Sequence, residues 1–497
     1  MKKVLVFVFM IIFLLVGNET VVFAEKQPIH EEVIYNILID RYNNGDYERD
    51  DQVDIENPIS YHGGDLQGII AKLDDLEEIG VTIISLSPIM ENAENGFHGF
   101  WIEDFYSIEE QFGTIDDLNQ LINEAHVRDI KVVLEFVTNY VASSHSFSED
   151  PEKEEWIVES SEATTEWMEN TSKLNLDNPE VAAYLIEVAK YWMKETKLDG
   201  FKLQAVDQAP LDFVEQFTTE IKELRPDFYL LGDILETDEN IDQLMTETKL
   251  DAVENQLLYE SMSDVFAKPD QSVETIYNTW ENSDKQDGLL YIDNFKGERF
   301  TQKFANNGRN ALTAWSLALT YIYTSPGTPT ILQGTELPMY GGNAEESQRL
   351  VPFNSGDSEL KEFHKRISSL RSRFPVLQHG DFALVGSSDS MSVFKRTLED
   401  ETMYIAINNG SESAYVDIAE IDSGMQLKGY LGDNLVRENE NGEYRVGLAR
   451  ETAEVYSIGP DTGINWAFIS FVGIIFLLFV VGVIYLSRKG KKNEKTK

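Results

Sequence analysis

The sequence predicts an α/β chain: a (β/α)8 TIM barrel with a lobe inserted after strand three, a C-terminal antiparallel β-sandwich and a single C-terminal transmembrane helix. Three observations carry this. Eight short runs rich in β-branched residues recur with helical stretches between them, the pattern of parallel strands joined by crossover helices. The helical pattern stops after Leu377 and gives way to alternating strand-like runs. Trp466 to Leu486 contains no charged residue and is long enough to cross a hydrocarbon core of about 30 Å.

The predicted barrel strands are Val33 to Ile39, Ile83 to Leu86, Val132 to Val137, Phe201 to Val206, Phe228 to Leu231, Leu250 to Val253, Leu289 to Ile292 and Thr330 to Leu332. Helices are expected over Leu66 to Ile79, Asp116 to Val127, Pro179 to Thr196, Leu211 to Leu224 and Ala311 to Tyr323, several opening with Asp or Pro in the first turn. Between strand three and its helix, residues 141–173 are polar and acid-rich, with Trp156 and Trp167, and too long for an ordinary βα loop. This stretch is expected to form a small lobe over the barrel mouth. Met391 to Lys395, Met403 to Ile407 and Ala453 to Ile458 alternate as strands of the sandwich.

Lys2 and Lys3 precede an apolar run from Val4 to Val16, and Val22-Phe23-Ala24 suits signal cleavage, so residues 1–24 read as a secretory signal peptide. Arg488, Lys489, Lys491 and Lys492 follow the apolar run at 466–486, which places a basic tail at 487–497 in the cytoplasm and the rest outside. The expected domains are thus a barrel at 25–378, a β-sandwich at 379–460 and a single-pass anchor in the cell membrane. The absence of cysteine excludes disulfides and thiolate chemistry. A formal charge of -46 excludes nucleic acid as a natural partner and describes a self-repelling, solvated surface.

The stretch Asp199 to Gln208 reads DGFKLQAVDQ. In order and spacing it is accompanied by VIYNILIDRYNNGD from Val33, GGDLQG from Gly63, HGFW from His98, FGT from Phe112, NPEV from Asn178 and GTE from Gly334. Together these resemble the α-amylase family of glycoside hydrolases, whose fourth-strand pattern is G-F-R-x-D-A-V-x-H. The resemblance implies a catalytic barrel, an inserted lobe, a C-terminal β-domain and α-glucan or oligosaccharide as the substrate class. It also implies three catalytic carboxylates, and here the chain departs from the family. The nucleophile position is Gln204, an amide that cannot form a glycosyl-enzyme. The acid position, in YLLGDI, is Asp233, one methylene shorter than the family's Glu, and about 1 Å of misplacement costs on the order of a hundredfold. The third carboxylate, in YIDNFK, is Lys296, whose charge opposes an oxocarbenium-like transition state.

Asp293 and Asn294 are retained, but the neighbouring sugar-contacting His is Phe295. In VVLEFVTNY, Glu135 replaces Asp and Tyr140 replaces a second sugar-contacting His, while Lys202 and Gln208 replace the strand-four Arg and His. Lys lacks the rigid bidentate fork with which Arg holds a carboxylate. These paired changes predict that Asp233 and Lys296, with Lys202 beside them, form an ion pair where the reaction would occur.

By resemblance, substrate-binding positions are His98, Phe100, Trp101, Tyr140, Lys202, Asn294 and Phe295, with Tyr340, Trp156 and Trp167 as further aromatic platforms. The family's Ca2+ site implies Asn139 as a metal ligand, yet Lys173 stands where the lobe would return an Asp. Asp40, Asn43, Asn44, Asp46 and Asp50 resemble a second calcium loop and equally an acidic solvated turn. The expectation is a membrane-anchored, extracellular α-amylase-like pseudoenzyme that binds α-glucan or a cell-surface protein partner. The alternatives are an active α-1,4-glucan hydrolase or transglycosylase with a rearranged site, such as Asp233 with Glu236 or Asp207, and a purely structural scaffold ectodomain.

Overall fold

The computed structural model describes residues 28–494 apart from 149, 159–168, 237–240, 284–286, 462 and 464–465. The expected signal peptide and Trp167 lie outside the described residues.

The barrel strands are β1 (Ile34–Ile37), β2 (Ile83–Leu86), β3 (Lys131–Val137), β4 (Gly200–Gln204), β5 (Tyr229–Gly232), β6 (Ala252–Val253), β7 (Leu289–Leu290) and β8 (Thr328–Leu332). They run parallel in the order β6-β5-β4-β3-β2-β1-β8-β7. β6 and β7 are joined by a parallel bridge between Glu254 and Leu289, by the Asn255 backbone amide donating to the Leu289 carbonyl at 3.1 Å and its side-chain amide to the Asp287 carbonyl at 2.9 Å, and by the Tyr291 hydroxyl donating to Gln256 Oε1 at 2.6 Å.

Strand periodicity sorts the side chains into layers, because every second residue faces the barrel axis. Ile34, Ile83, Val133, Tyr229, Leu231, Ala252 and Leu289 form an apolar floor. Residues of the same parity one step further along β3, β5 and β6 are Glu135, Asp233 and Glu254, and β4 places Lys202 and then Gln204 at that level. The opposite parity, including Val132, Leu134, Phe136, Phe201, Leu203 and Leu230, packs under the helices. A charged layer therefore sits directly on an apolar one.

The helices begin where capping chemistry is available. Ile115–His126 opens on Thr114 and Asp117, each satisfying the other's backbone, and Pro179–Glu195 opens on Asn178 with Pro in the first turn. Leu211–Leu224 and Ala311–Thr324 also follow the predicted ranges. The helix expected over Leu66 to Ile79 is instead two, Leu66–Ile70 and Leu73–Glu78, because Lys72 at φ -113° and ψ 0° interrupts the ladder.

The inserted lobe is a three-stranded antiparallel sheet of Tyr140–Ala142, Ile157–Val158 and Thr171–Leu174. Trp156 is buried in its core, 4.9 Å from the Phe147 ring and 5.5 Å from that of Tyr184. It presents no platform to a sugar.

Beyond the barrel, β9 (Asp381–Ser388), β10 (Met391–Leu398), β11 (Glu401–Asn408), β12 (Ala414–Ile418), β13 (Met425–Gly429), β14 (Leu435–Arg437), β15 (Tyr444–Leu448) and β16 (Thr452–Pro460) build the C-terminal domain. A six-stranded antiparallel sheet in the order β9-β10-β11-β16-β13-β14 faces the β12–β15 ladder across a core that includes Val393, Tyr404, Val416, Leu427, Val446 and Tyr456. Phe382 and Phe394 pack on Tyr277 and Tyr321 of the barrel, and the Asn409 amide donates to the carbonyls of Val265, Lys268 and Gln271. The last element is a helix, Trp466–Glu494, with exposed Phe471, Ile475, Phe476, Leu478 and Phe479. Among the described residues no helix is long and apolar enough to cross a membrane.

Candidate active site

Gln204 is the last residue of β4, at 0% exposure, and among the described residues neither end of its amide has a hydrogen-bond partner. The next residue, Ala205, is left-handed at φ 48° and ψ 49°, a conformation that costs a non-glycine residue roughly 1–2 kcal/mol. Asn139 supports this turn by donating its side-chain amide to the Gln204 carbonyl at 3.1 Å and the Ala205 carbonyl at 2.9 Å. Asp233 follows β5 at 2% exposure and accepts from the Ala205 amide at 3.3 Å.

The expected ion pair is present. Lys296 Nζ donates to Asp233 Oδ1 at 2.7 Å, and Lys202 Nζ lies 3.9 Å from the same oxygen. Lys202 donates its short contact elsewhere, to Glu254 Oε1 at 2.7 Å. Glu135 stands across the ladder from Lys202. Five charged groups from consecutive strand ends thus converge: three carboxyls and two ammoniums. Glu254 went unnoticed in the sequence, although an acid immediately after the buried run at Leu250 to Val253 falls on the inward parity of β6.

The electrostatics divide these carboxyls. Burial would raise Asp233, but Lys296 and then Lys202 outweigh it and hold the group down at about 2. Burial raises both Glu135 and Glu254 to about 7, with Lys202 opposing and the Asp233 charge adding to the rise. Lys296 and Lys202 are themselves shifted upward, the carboxylates outweighing burial. An Asp that stays ionised has no proton to give to a leaving group, and an amide at 204 has no charge with which to attack.

Asp293 is a structural carboxylate: Arg299 Nε donates to it at 2.6 Å and the Phe300 amide at 3.0 Å. Asn294 accepts from the Lys296 amide at 2.9 Å and so fixes the turn carrying that lysine. Phe295 and Trp101 are half-buried at the rim, and Tyr340 is 55% exposed.

Phe100, Tyr140 and His98, which the resemblance assigns to sugar contact, are buried. Phe100 is 3% exposed and stacks on the His98 ring at 5.4 Å, while His98 Nδ1 accepts from the Phe100 amide at 3.0 Å. Burial, with the Arg41 charge, pushes His98 down to about 3, so it is neutral. Tyr140 is equally buried, and burial lifts its hydroxyl to about 12. These rings pack the mouth.

Asn139 donates its side-chain nitrogen to the Gln204 and Ala205 carbonyls, its buried Oδ1 has no hydrogen-bond partner among the described residues, and Lys173 lies in the lobe strand paired with Tyr140. The acids after β1 do not form a cage. Asp40 is buried against Arg41 at 3.0 Å and accepts from the His62 and Gly63 amides, whereas Asn44 donates to Asp50. Among the described residues no group of three or more His, Asp or Glu side chains could hold a metal ion. The alternative acids are also spoken for: Asp207 accepts from the Leu235 and Glu236 amides and from Gln208 Nε2, a turn clamp, and Glu236 is exposed.

Comparison with known proteins agrees with this architecture. The model described as "Alpha amylase, catalytic domain" matches residues 36–170 and 152–377, and "Alpha-amylase C-terminal domain" matches residues 380–456. An Anoxybacillus α-amylase crystal structure aligns at a TM-score of 0.83 and 40% identity, covering 88% of this chain and 100% of that one. The α-amylase of Geobacillus thermoleovorans complexed with acarbose aligns at 0.82 and 38%, with coverage of 88% and 100%. The beta/alpha-amylase of Paenibacillus polymyxa is 29% identical over 86% of this chain, which spans 38% of that protein's length. A Thermoanaerobacter pseudethanolicus cyclomaltodextrinase is 26% identical, with 82% of this chain and 75% of that protein aligned. Matched over both its barrel and its β-domain, the chain belongs to the α-amylase family of glycoside hydrolases.

Proposed function

We propose that this chain is a member of the family that binds α-glucan without cleaving it. The observation that carries the reading is the Lys296 ammonium seated 2.7 Å from the carboxylate at the acid position, beside an uncharged Gln204 at the nucleophile position. Glucan recognition would fall to the rim, where Trp101, Asn294, Phe295 and Tyr340 keep exposed surface, and aromatic faces of this kind suit sugar rings. The family complex with acarbose belongs to another protein and supports the ligand class.

The test is reducing-end release from starch, maltooligosaccharides and pullulan by the purified full chain, beside an active relative. The expected rate is at or below about one ten-thousandth of the relative's, the scale of loss when a nucleophile is removed. Release that Asp233→Ala abolishes would overturn the reading. An active α-glucan hydrolase or transglycosylase is the second reading, favoured by relatives whose names are those of enzymes and by two buried carboxyls, Glu135 and Glu254, raised toward neutrality.

We also propose that the chain is exported and held at the cell membrane by its last helix. The support is the apolar run at 466–486 and the solvent-facing Phe471, Phe476 and Phe479, side chains that lipid would cover. Alkaline carbonate extraction of expressing cells should leave the full chain in the membrane pellet. Recovery in the supernatant would refute the anchor.

A further inference from the structure

The charge count at the barrel mouth does not balance. Glu135, Asp233 and Glu254 face Lys202 and Lys296, and all five are buried except for the Lys296 side chain, which keeps 27% exposure. Asp233 pairs with Lys296 and Glu254 with Lys202, while Glu135 has no ion pair among the described residues. One carboxyl is in excess. Glu254 accepts from Lys202 at 2.7 Å, and burial together with the Asp233 charge favours its protonated form against that lysine.

Position gives this imbalance a consequence. Glu254 supplies the backbone bridge to Leu289 that closes the barrel between β6 and β7. Its side chain reaches across to β4, and Asp233 on β5 is tied to Lys296 beyond β7. The Asp233–Lys296 pair therefore spans the β6–β7 junction, and Glu254 belongs both to that junction through its backbone and to the charged layer through its side chain.

We propose that the cluster is a proton-held latch on the β6–β7 seam: with one proton kept among Glu135, Glu254 and Asp233 the layer is neutral and the seam closed, and loss of that proton leaves an unpaired buried charge that loosens the seam and uncovers the barrel mouth. The inference is independent of whether the chain cleaves glucan.

The direction follows from linkage. Glu135 and Glu254 are raised to about 7 in the closed form and return toward 4.5 when hydrated. Their contribution to closure is full below about 4.5 and is lost as pH rises through about 7, with the opening constant climbing up to about tenfold per unit between those values. Asp233 runs the other way, its contribution present above 3.8 and lost toward about 2, outside this window. Of the other titratable groups facing the layer, Tyr291 and Tyr259 are raised by burial and remain neutral across this window and His98 is already neutral, while Asp293 is raised by burial against the Arg299 charge and is common to every variant compared.

Amide exchange measured by mass spectrometry on the full chain in detergent, divided by intrinsic rates, reads the latch. Peptides over 250–258 and 287–297 should open at least about tenfold more at pH 7.5 than at pH 5, while Ala311–Thr324 stays constant. Glu135→Gln removes the excess acid without changing shape and should flatten the profile to within about twofold. Glu254→Gln should do the same, and if that variant does not fold Glu135→Gln decides alone. A seam whose opening is independent of pH in the unaltered chain, or a Glu135→Gln profile that still rises, would overturn the latch.

Discussion

Asp233→Ala should destabilise the barrel by about 3–5 kcal/mol, the scale seen when one partner of a buried ion pair is removed. At 2% exposure Asp233 compensates Lys296 at 2.7 Å and Lys202 at 3.9 Å, and its carboxylate also receives the strained Ala205 amide. Truncation takes the partner from Lys296 and the acceptor from the left-handed turn. Lys296→Ala should cost at least as much, because it leaves a 2%-exposed carboxylate with Lys202 alone at 3.9 Å in a layer whose carboxyls already outnumber its ammoniums. Thermal melts of the full chain check the pair: each variant should lower the barrel transition by several degrees. A Lys296→Ala shift that is a small fraction of the Asp233→Ala shift would mean that solvent reaches Asp233 and that the pair does not hold a buried charge.

Restoring the family's residues one at a time should not restore chemistry. Gln204→Asp alone places a fourth carboxylate beside two ammoniums in a layer that already holds one acid too many. It should release no sugar and should melt earlier than the unaltered chain. The combined variant Gln204→Asp, Asp233→Glu, Lys296→Asp and Lys202→Arg supplies nucleophile, acid, third carboxylate and the fork that holds them. It should raise reducing-end release from maltooligosaccharides at least about a hundredfold over the unaltered chain, since groups that act as a unit recover together. Tyr140 and Phe295 remain in place of the sugar-contacting histidines, which keeps the expected gain well below a native member. Sugar release by Gln204→Asp alone would show that the Asp233–Lys296 pair is not what silences the site.

The barrel was legible because its signal is local. A run such as Ile83 to Leu86 must be extended and buried wherever it lies, and all eight predicted runs overlap a strand of the sheet. The Asp233–Lys296 pair could be read as well, since two motif positions that face each other in this fold had both changed charge. Other features depended on three-dimensional placement. Lys202 was expected beside Asp233, but its short contact is with Glu254, because the register of β4 and the two-residue length of β6 bring that carboxyl to its ammonium. Phe100 and Trp156 carried the chemistry of sugar platforms, yet aromatic identity does not distinguish a ring that stacks on a ligand from one that stacks on His98 or Phe147. By itself the sequence determined which residues stand at the strand ends and that their chemistry had changed. Only the tertiary structure decided how those charges pair, because hydrogen bonds and ion pairs act over about 3 Å, a distance set by register and closure across elements remote in the chain.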